Sequence, residues 1–188
     1  MNIKELVVKN RSYRRFYEEE KIDDAKLKSF VELVRYCGSG MNAQSLKYIL
    51  VNNDEDCEKV FNCLGWAGYL KNWDGPKKGE RPVAYIVQLH DESLAKNYFC
   101  DDGIQLQTIL LAAVESGYGG CIVKNVKKDL NLILNVPEDM KIIQVLALGK
   151  PKEKIHIVDM KENDFKYWRD DNDEHYVPKR TIDELIIK

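Results

Sequence analysis

The chain has 188 residues, 44% of them hydrophobic and 32% charged, with a formal net charge of −2 at pH 7. That length and apolar content fit one globular domain over residues 1–188 with a substantial core, and they exclude low-complexity disorder. The near-neutral balance excludes a chain-wide grip on nucleic acid or an anionic membrane and leaves room for a local basic site.

No apolar stretch approaches the length that spans a bilayer. The first ten residues lack the apolar core and small-residue cleavage site of a signal peptide, so the cytoplasm is the expected compartment. The five cysteines, at positions 37, 57, 63, 100 and 121, are odd in number, widely spaced and without a CxxC pair. Neither a disulfide framework nor a zinc site is expected from them. His90, His156 and His175 are far apart in sequence and form no metal-ligand spacing.

In chain order, the pattern predicts a short helix over residues 2–9 that ends at Asn10. Asp23 and Asp24 start a second helix carrying Leu27, Phe30, Val31 and Val34 at helical spacing, with a stop near Gly38-Ser39-Gly40. Tyr48-Ile49-Leu50-Val51 reads as a strand closed by Asn52-Asn53, and Asp54 caps a helix to about Leu64. A breaker-rich loop with Asn72, Gly75, Pro76 and Gly79 precedes an apolar strand over residues 82–89. Residues 102–116 form a helix too apolar to face water on more than a narrow side, which places it through the middle of the fold. Gly117, Gly119 and Gly120 end it. A strand at residues 121–123, a helix near 127–134 and a buried strand over 142–148 follow, the last closed by Gly149 and Pro151. Helices and strands alternate without a βαβ rhythm, so the class is α+β or mixed α/β. The remaining residues are polar and aromatic, cannot build a core alone, and are either loose or laid across another surface, that of a partner subunit in a homo-oligomer.

Four segments carry candidate chemistry. Arg11-Ser12-Tyr13-Arg14-Arg15-Phe16 crowds three arginines and a serine together. Guanidinium forks and a hydroxyl suit phosphate oxygens, and a solvated basic turn paired with Glu18, Glu19 and Glu20 is the competing reading. Asn42 and Gln44, in the loop from Ser39 to Ser45, offer donors and acceptors for the edge of a flat heterocycle, or belong to an ordinary turn. Gly117-Tyr118-Gly119-Gly120-Cys121 permits a close backbone approach and is also a helix stop. Pro178-Lys179-Arg180 brings two cations beside a rigid residue, for a phosphate or as a surface patch balancing the acids at 170–174. There is no Rossmann fingerprint, Walker loop, nucleophile elbow or HExxH pair.

Taken in order, these segments resemble the nitroreductase family, in particular its short members. The family's basic R-S-x-R-x-F type opening is matched by Arg11 to Phe16, and its N-x-Q-P loop by Asn42-Ala43-Gln44-Ser45. Its Asp-led helix with a Gly-Leu-Gly type end is matched by Asp101-Asp102-Gly103 and Gly117-Tyr118-Gly119-Gly120. Leu148-Gly149-Lys150-Pro151 matches its Leu-Gly-x-Pro strand end, and Pro178-Lys179-Arg180 its closing basic element. The resemblance covers nearly the whole chain. It implies an α+β sandwich with a mixed sheet flanked by helices, and a C-terminal extension over residues 155–188 that wraps the partner of a homodimer. It also implies non-covalent FMN at the subunit interface, NADH or NADPH as donor, and ping-pong hydride transfer through flavin N5 to a small acceptor such as a nitroaromatic or quinone.

Matched residue by residue, Arg11, Ser12 and Arg14 would hold the phosphate and the polar edge of the ring, and Asn42 and Gln44 would line the ring. Backbone at Gly120, Ile122, Val123 and Lys124 would approach its reactive side. Arg180, with Lys179, would close on the phosphate, and one site would draw on both subunits. No side chain is implied as nucleophile or base. Cations near the pyrimidine end stabilise the reduced anion, Arg14 first and Lys71 second. Trp66, Tyr69 and Trp73 are either one wall of the substrate pocket or core packing. The chain departs from the family at Asn10, where many members carry arginine, and at Ser45 and Leu46, where proline and an aromatic are usual. It also lacks the long helical insertion of larger relatives. Two alternatives stand beside oxidoreduction: reductive dehalogenation or flavin fragmentation on the same cofactor, and a phospholigand-binding module without turnover.

Overall fold

The computed structural model describes residues 1–187. Asn2 opens the first helix by a reciprocal capping box, its side chain accepting from the Glu5 amide while the Glu5 carboxylate accepts the Asn2 N–H. Helix α1 (Ile3–Lys9) then stops at Asn10. A two-residue strand β1 (Phe16–Tyr17) leads to α2 (Asp24–Glu32), capped by Asp23 and burying Leu27 and Phe30. The α-helical pitch ends earlier than the apolar spacing suggests, and the chain runs on as a 3₁₀ turn over Leu33–Tyr36. A second 3₁₀ turn, Gly40–Asn42, precedes β2 (Leu46–Val51).

Helix α3 (Asp54–Asn62) is capped by Asn53, whose side chain accepts from the Asp56 amide. Asp54 is therefore a first-turn acid rather than the cap. β3 (Ala84–Asp91) is buried along its whole length, and α4 (Asp101–Glu115) buries residues on most of its turns. β4 (Gly119–Val123), the one-turn helix α5 (Leu130–Ile133) and the long β5 (Met140–Pro151) follow.

A strand buried on both faces must sit inside a sheet with helices on either side, and β3 does. The main sheet runs β1-β5-β3-β2, with β4 also pairing β5. Each of these pairs is antiparallel. Alternation along β3 sends Ile86 into a core with Leu27, Phe30, Leu106 and Ile109, from α2 and α4. Tyr85 and Val87 enter the opposite core with Val60, Leu130 and Val145. A buried polar chain links the sheet to α4. Gln144 donates to Gln88 at 2.8 Å, Gln88 donates to the Tyr48 hydroxyl at 3.3 Å, and that hydroxyl donates to Gln105.

The C-terminal residues form a second, three-stranded sheet of β6 (Ile155–Asp159), β7 (Trp168–Arg169) and β8 (His175–Lys179). Here β6 pairs β8 in parallel and β7 pairs β8 antiparallel, so the small sheet is mixed while the strand pairs of the main one are all antiparallel. The tail is laid across its own chain this far by polar anchors: Arg15 reaches Asp173 and Arg169 reaches Glu153. Beyond it the short helix α6 (Ile182–Leu185) and Ile187 leave apolar side chains exposed. Among the described residues no helix is long and apolar enough to cross a membrane.

Candidate functional site

The basic segment after α1 runs alongside β4. Ser12 bridges Gly120 in parallel, and the Tyr13 amide donates to the Gly120 carbonyl at 3.0 Å. The glycines make this approach possible. A Cβ on Gly119 would meet the Tyr13 ring at 2.6 Å, and one on Gly120 would meet the Ala147 carbonyl oxygen of β5 at 2.5 Å. Gly117, at φ +84°, ends α4 in the left-handed conformation. The glycine-rich segment thus serves as helix stop and as close-packed strand, and it carries the basic segment with it.

A cavity of about 320 Å³ opens at this junction. Arg11, Ser12 and Arg14 line it from the N-terminal side, Gly120 and Ile122 from β4, and Lys179 from β8. Leu110 of α4 and the tail residues Tyr167, His175 and Val177 complete an apolar and aromatic wall. Alternation along β8 puts His175, Val177 and Lys179 on one face, which is how a segment remote in sequence contributes three contacts.

The site is electropositive. Arg11 donates to the Val7 carbonyl at 2.6 Å while its buried Nε has no protein partner, and burial lowers its pKa against the opposing effect of Tyr13. Arg14 is buried; it donates to the Ser12 carbonyl at 3.2 Å and its guanidinium lies 4.9 Å from the Tyr167 ring centre. His175 is buried with its Nδ1 unpartnered. Desolvation first, then Arg14, Arg169 and Arg15, push its pKa down to about 4, so the imidazole is neutral at pH 7. Burial raises the Cys121 thiol, which keeps it from acting as a thiolate.

The other expected residues lie elsewhere in the chain's own fold. Asn42 and Gln44 line a separate cavity of about 260 Å³ with Tyr48 and Gln105. Their loop is held by the buried Asp101 carboxylate, which accepts from Ser39 Oγ at 2.7 Å and the Gly40 amide at 2.9 Å. Met41, Asn42 and Gln44 all have left-handed backbone, with φ of 53°, 55° and 50°. Val123 is buried in β4, and Lys124 extends toward Asp102 at 3.8 Å. Arg180 does not line the cavity, because Asn163 at 2.9 Å and Glu184 at 3.1 Å engage its guanidinium. Of the loop aromatics, Trp66 packs on Phe61, Trp73 lies against Arg169, and Tyr69 buttresses Tyr167 at 5.0 Å. Tyr167, rather than the loop residues, forms the wall. Tyr167, His175 and Glu153 were not singled out by the sequence, whose only pointer was a tail rich in aromatics.

The fold and site define an α+β protein with a basic cavity suited to a phosphorylated ligand bearing an apolar or aromatic part. A model of the nitroreductase family matches residues 7–150. The chain belongs to the nitroreductase family, a family of oxidoreductases. Solved structures agree on the fold. A nitroreductase family protein from Streptococcus pneumoniae TIGR4 is similar at TM-score 0.71 and 16% identity, over 100% of both chains. An FMN-dependent nitroreductase from Clostridium difficile R20291 is similar at TM-score 0.67 and 19% identity, over 89% of this chain and 98% of that one. The NADPH:FMN oxidoreductase of Vibrio harveyi, solved with NAD+, is similar at TM-score 0.61 and 21% identity, over 79% of this chain and 68% of that one.

Proposed function

We propose that this protein binds FMN non-covalently and passes electrons from NADH or NADPH to a small acceptor such as a nitroaromatic or quinone. The observation that carries the reading is the cavity itself, where Arg11, Ser12 and Arg14 from one end of the chain meet Lys179 from the other. The family and the FMN-using proteins of similar fold support it.

The residues present fit the cofactor's phosphate end. Two guanidinium groups, an ammonium and a hydroxyl form a donor set that matches a dianionic phosphate, and Arg11 Nε and His175 Nδ1 are buried without protein partners. Leu110, Ile122 and Val177 supply apolar surface beside it. FMN supplies the two-electron redox chemistry, in two alternating half-reactions that share one site.

The chain's own residues bind and orient. Arg11, Ser12 and Lys179 hold the phosphate. Arg14, fixed over Tyr167, would join them as a buried cation of the same cavity. Backbone at Gly120 and Ile122, which line the cavity, would border the ring, and no side chain is needed as nucleophile or base. Asn42 and Gln44 lie in a different cavity of the same chain, and we propose that in a homodimer they complete the partner's site, while the end of the 155–188 extension, beyond the strands that line this chain's own cavity, reaches the partner. The exposed Ile182, Leu185, Ile186 and Ile187 are suited to cover by such a partner.

The deciding experiment is a visible spectrum of the purified protein, before and after NADH or NADPH without oxygen. A flavin band that bleaches with donor and returns with a quinone or nitroaromatic is expected. A colourless protein that takes up no added FMN would defeat the reading. Flavin that binds and is never reduced would instead favour a binding module without turnover.

A further inference from the structure

Glu153 does not line the cavity, yet both halves of the cavity are tied to it. Its side chain is fully buried, at 0% exposure. Oε1 accepts the backbone N–H of Arg14 and, at 3.3 Å, that of Arg15. Oε2 accepts from Arg169 Nη2 at 3.0 Å and lies 3.7 Å from Arg15 Nε. One carboxylate therefore grips the N-terminal basic segment by its backbone and the tail by a guanidinium.

Each grip leads to the cavity wall. Fixing the Arg14 amide fixes where its side chain leaves the backbone, and that side chain lies over Tyr167 and lines the cavity. Fixing Arg169 fixes the register of β7 on β8, since Arg169 pairs directly with His175. His175, Val177 and Lys179 follow on one face. Arg14, Arg15 and Arg169 against Glu153 and Asp173 still leave a surplus of one positive charge, so the grip does not cancel the attraction for an anion. We infer that Glu153 is the positioning residue of the anion site, holding Arg14 and the His175–Lys179 strand in the arrangement that recognises a phosphoryl group. The inference rests on the flavin reading only for the choice of ligand in part of its test.

The test uses the full chain with Glu153→Gln and Glu153→Asp, titrated with FMN, riboflavin and inorganic phosphate, the last read as a thermal shift against chloride at equal ionic strength. The expected result is that Glu153→Gln lowers the preference for FMN over riboflavin by about tenfold or more, the effect of losing one charge-assisted hydrogen bond. Riboflavin affinity changes by less than about twofold on the same scale, the phosphate shift disappears, and Glu153→Asp restores part of both. A purely electrostatic role gives the opposite sign, since the glutamine adds one positive charge to the site and would tighten FMN. A purely structural role lowers both flavins by the same factor. Either outcome overturns the inference.

If Glu153→Gln does not fold, Arg169→Lys keeps the positive charge, shortens the reach to Glu153 and loosens the tail half alone, and must also lower the preference for FMN. A wild-type protein that binds inorganic phosphate but no flavin would sink the flavin reading and leave Glu153 to be judged on the phosphate shift. A wild-type protein that binds neither overturns both.

Discussion

His175 sets up a pH-dependent stability that can be measured without any ligand. Its ring is buried, packs 5.2 Å from Tyr167, and faces Arg14, Arg15 and Arg169, with Glu153 as the nearby counter-charge. Burial and the three arginines hold its pKa at about 4, against 6.5 for an unperturbed imidazole. The unfolded chain therefore takes up a proton near pH 6.5 that the folded chain refuses until about pH 4. The folded state keeps its full advantage above pH 6.5 and loses it as pH falls through that window. At about 1.4 kcal/mol per pKa unit, the whole loss is about 3 kcal/mol. The assay is urea unfolding of wild type and His175→Asn at intervals from pH 7.5 to 4.5. The two share every other titrating group, including Glu174 and Asp170, so those cancel in the difference. Wild type is expected to lose its lead over the variant by about 2–3 kcal/mol across the range. A difference that stays constant with pH would show that the imidazole is not held neutral by this cluster.

Two further outcomes follow from the geometry of the cavity. Arg11→Ala with Arg14→Ala should weaken FMN by about 100-fold or more, two charge-assisted contacts being removed, and riboflavin far less; retained FMN affinity by fluorescence titration would refute the phosphate assignment. Gly120→Ala should lower stability by about 1–3 kcal/mol, because the new methyl meets the rigid Ala147 carbonyl at 2.5 Å, and the loss should appear in thermal unfolding with no ligand present. A variant as stable as wild type would mean that the glycine is needed only for ligand approach.

Much of the fold could be read from local patterns. The helix start at Asp23, the uninterrupted apolar run of β3 and the mostly apolar face of α4 each report burial or hydrogen bonding within a few residues. Boundaries slipped where a neighbouring residue served better. Asn53 took the capping role expected of Asp54, and α5 kept only Leu130–Ile133 of the expected span. The tail was the largest gap. Its strands lack a hydrophobic alternation strong enough to announce them, because their partners are one another and a buried carboxylate rather than a core.

The sequence by itself determined the family, the α+β class and a short basic motif at Arg11 to Arg15, since each rests on local motifs and on their order along the chain. Only the tertiary structure decided which cations share a cavity. It chose Lys179 over Arg180, because strand alternation turns neighbouring side chains to opposite faces and Asn163 and Glu184 engage the second. It also separated Asn42 and Gln44 from Arg11 and Arg14, and it made Glu153 a hub by folding residues more than a hundred positions apart onto one carboxylate.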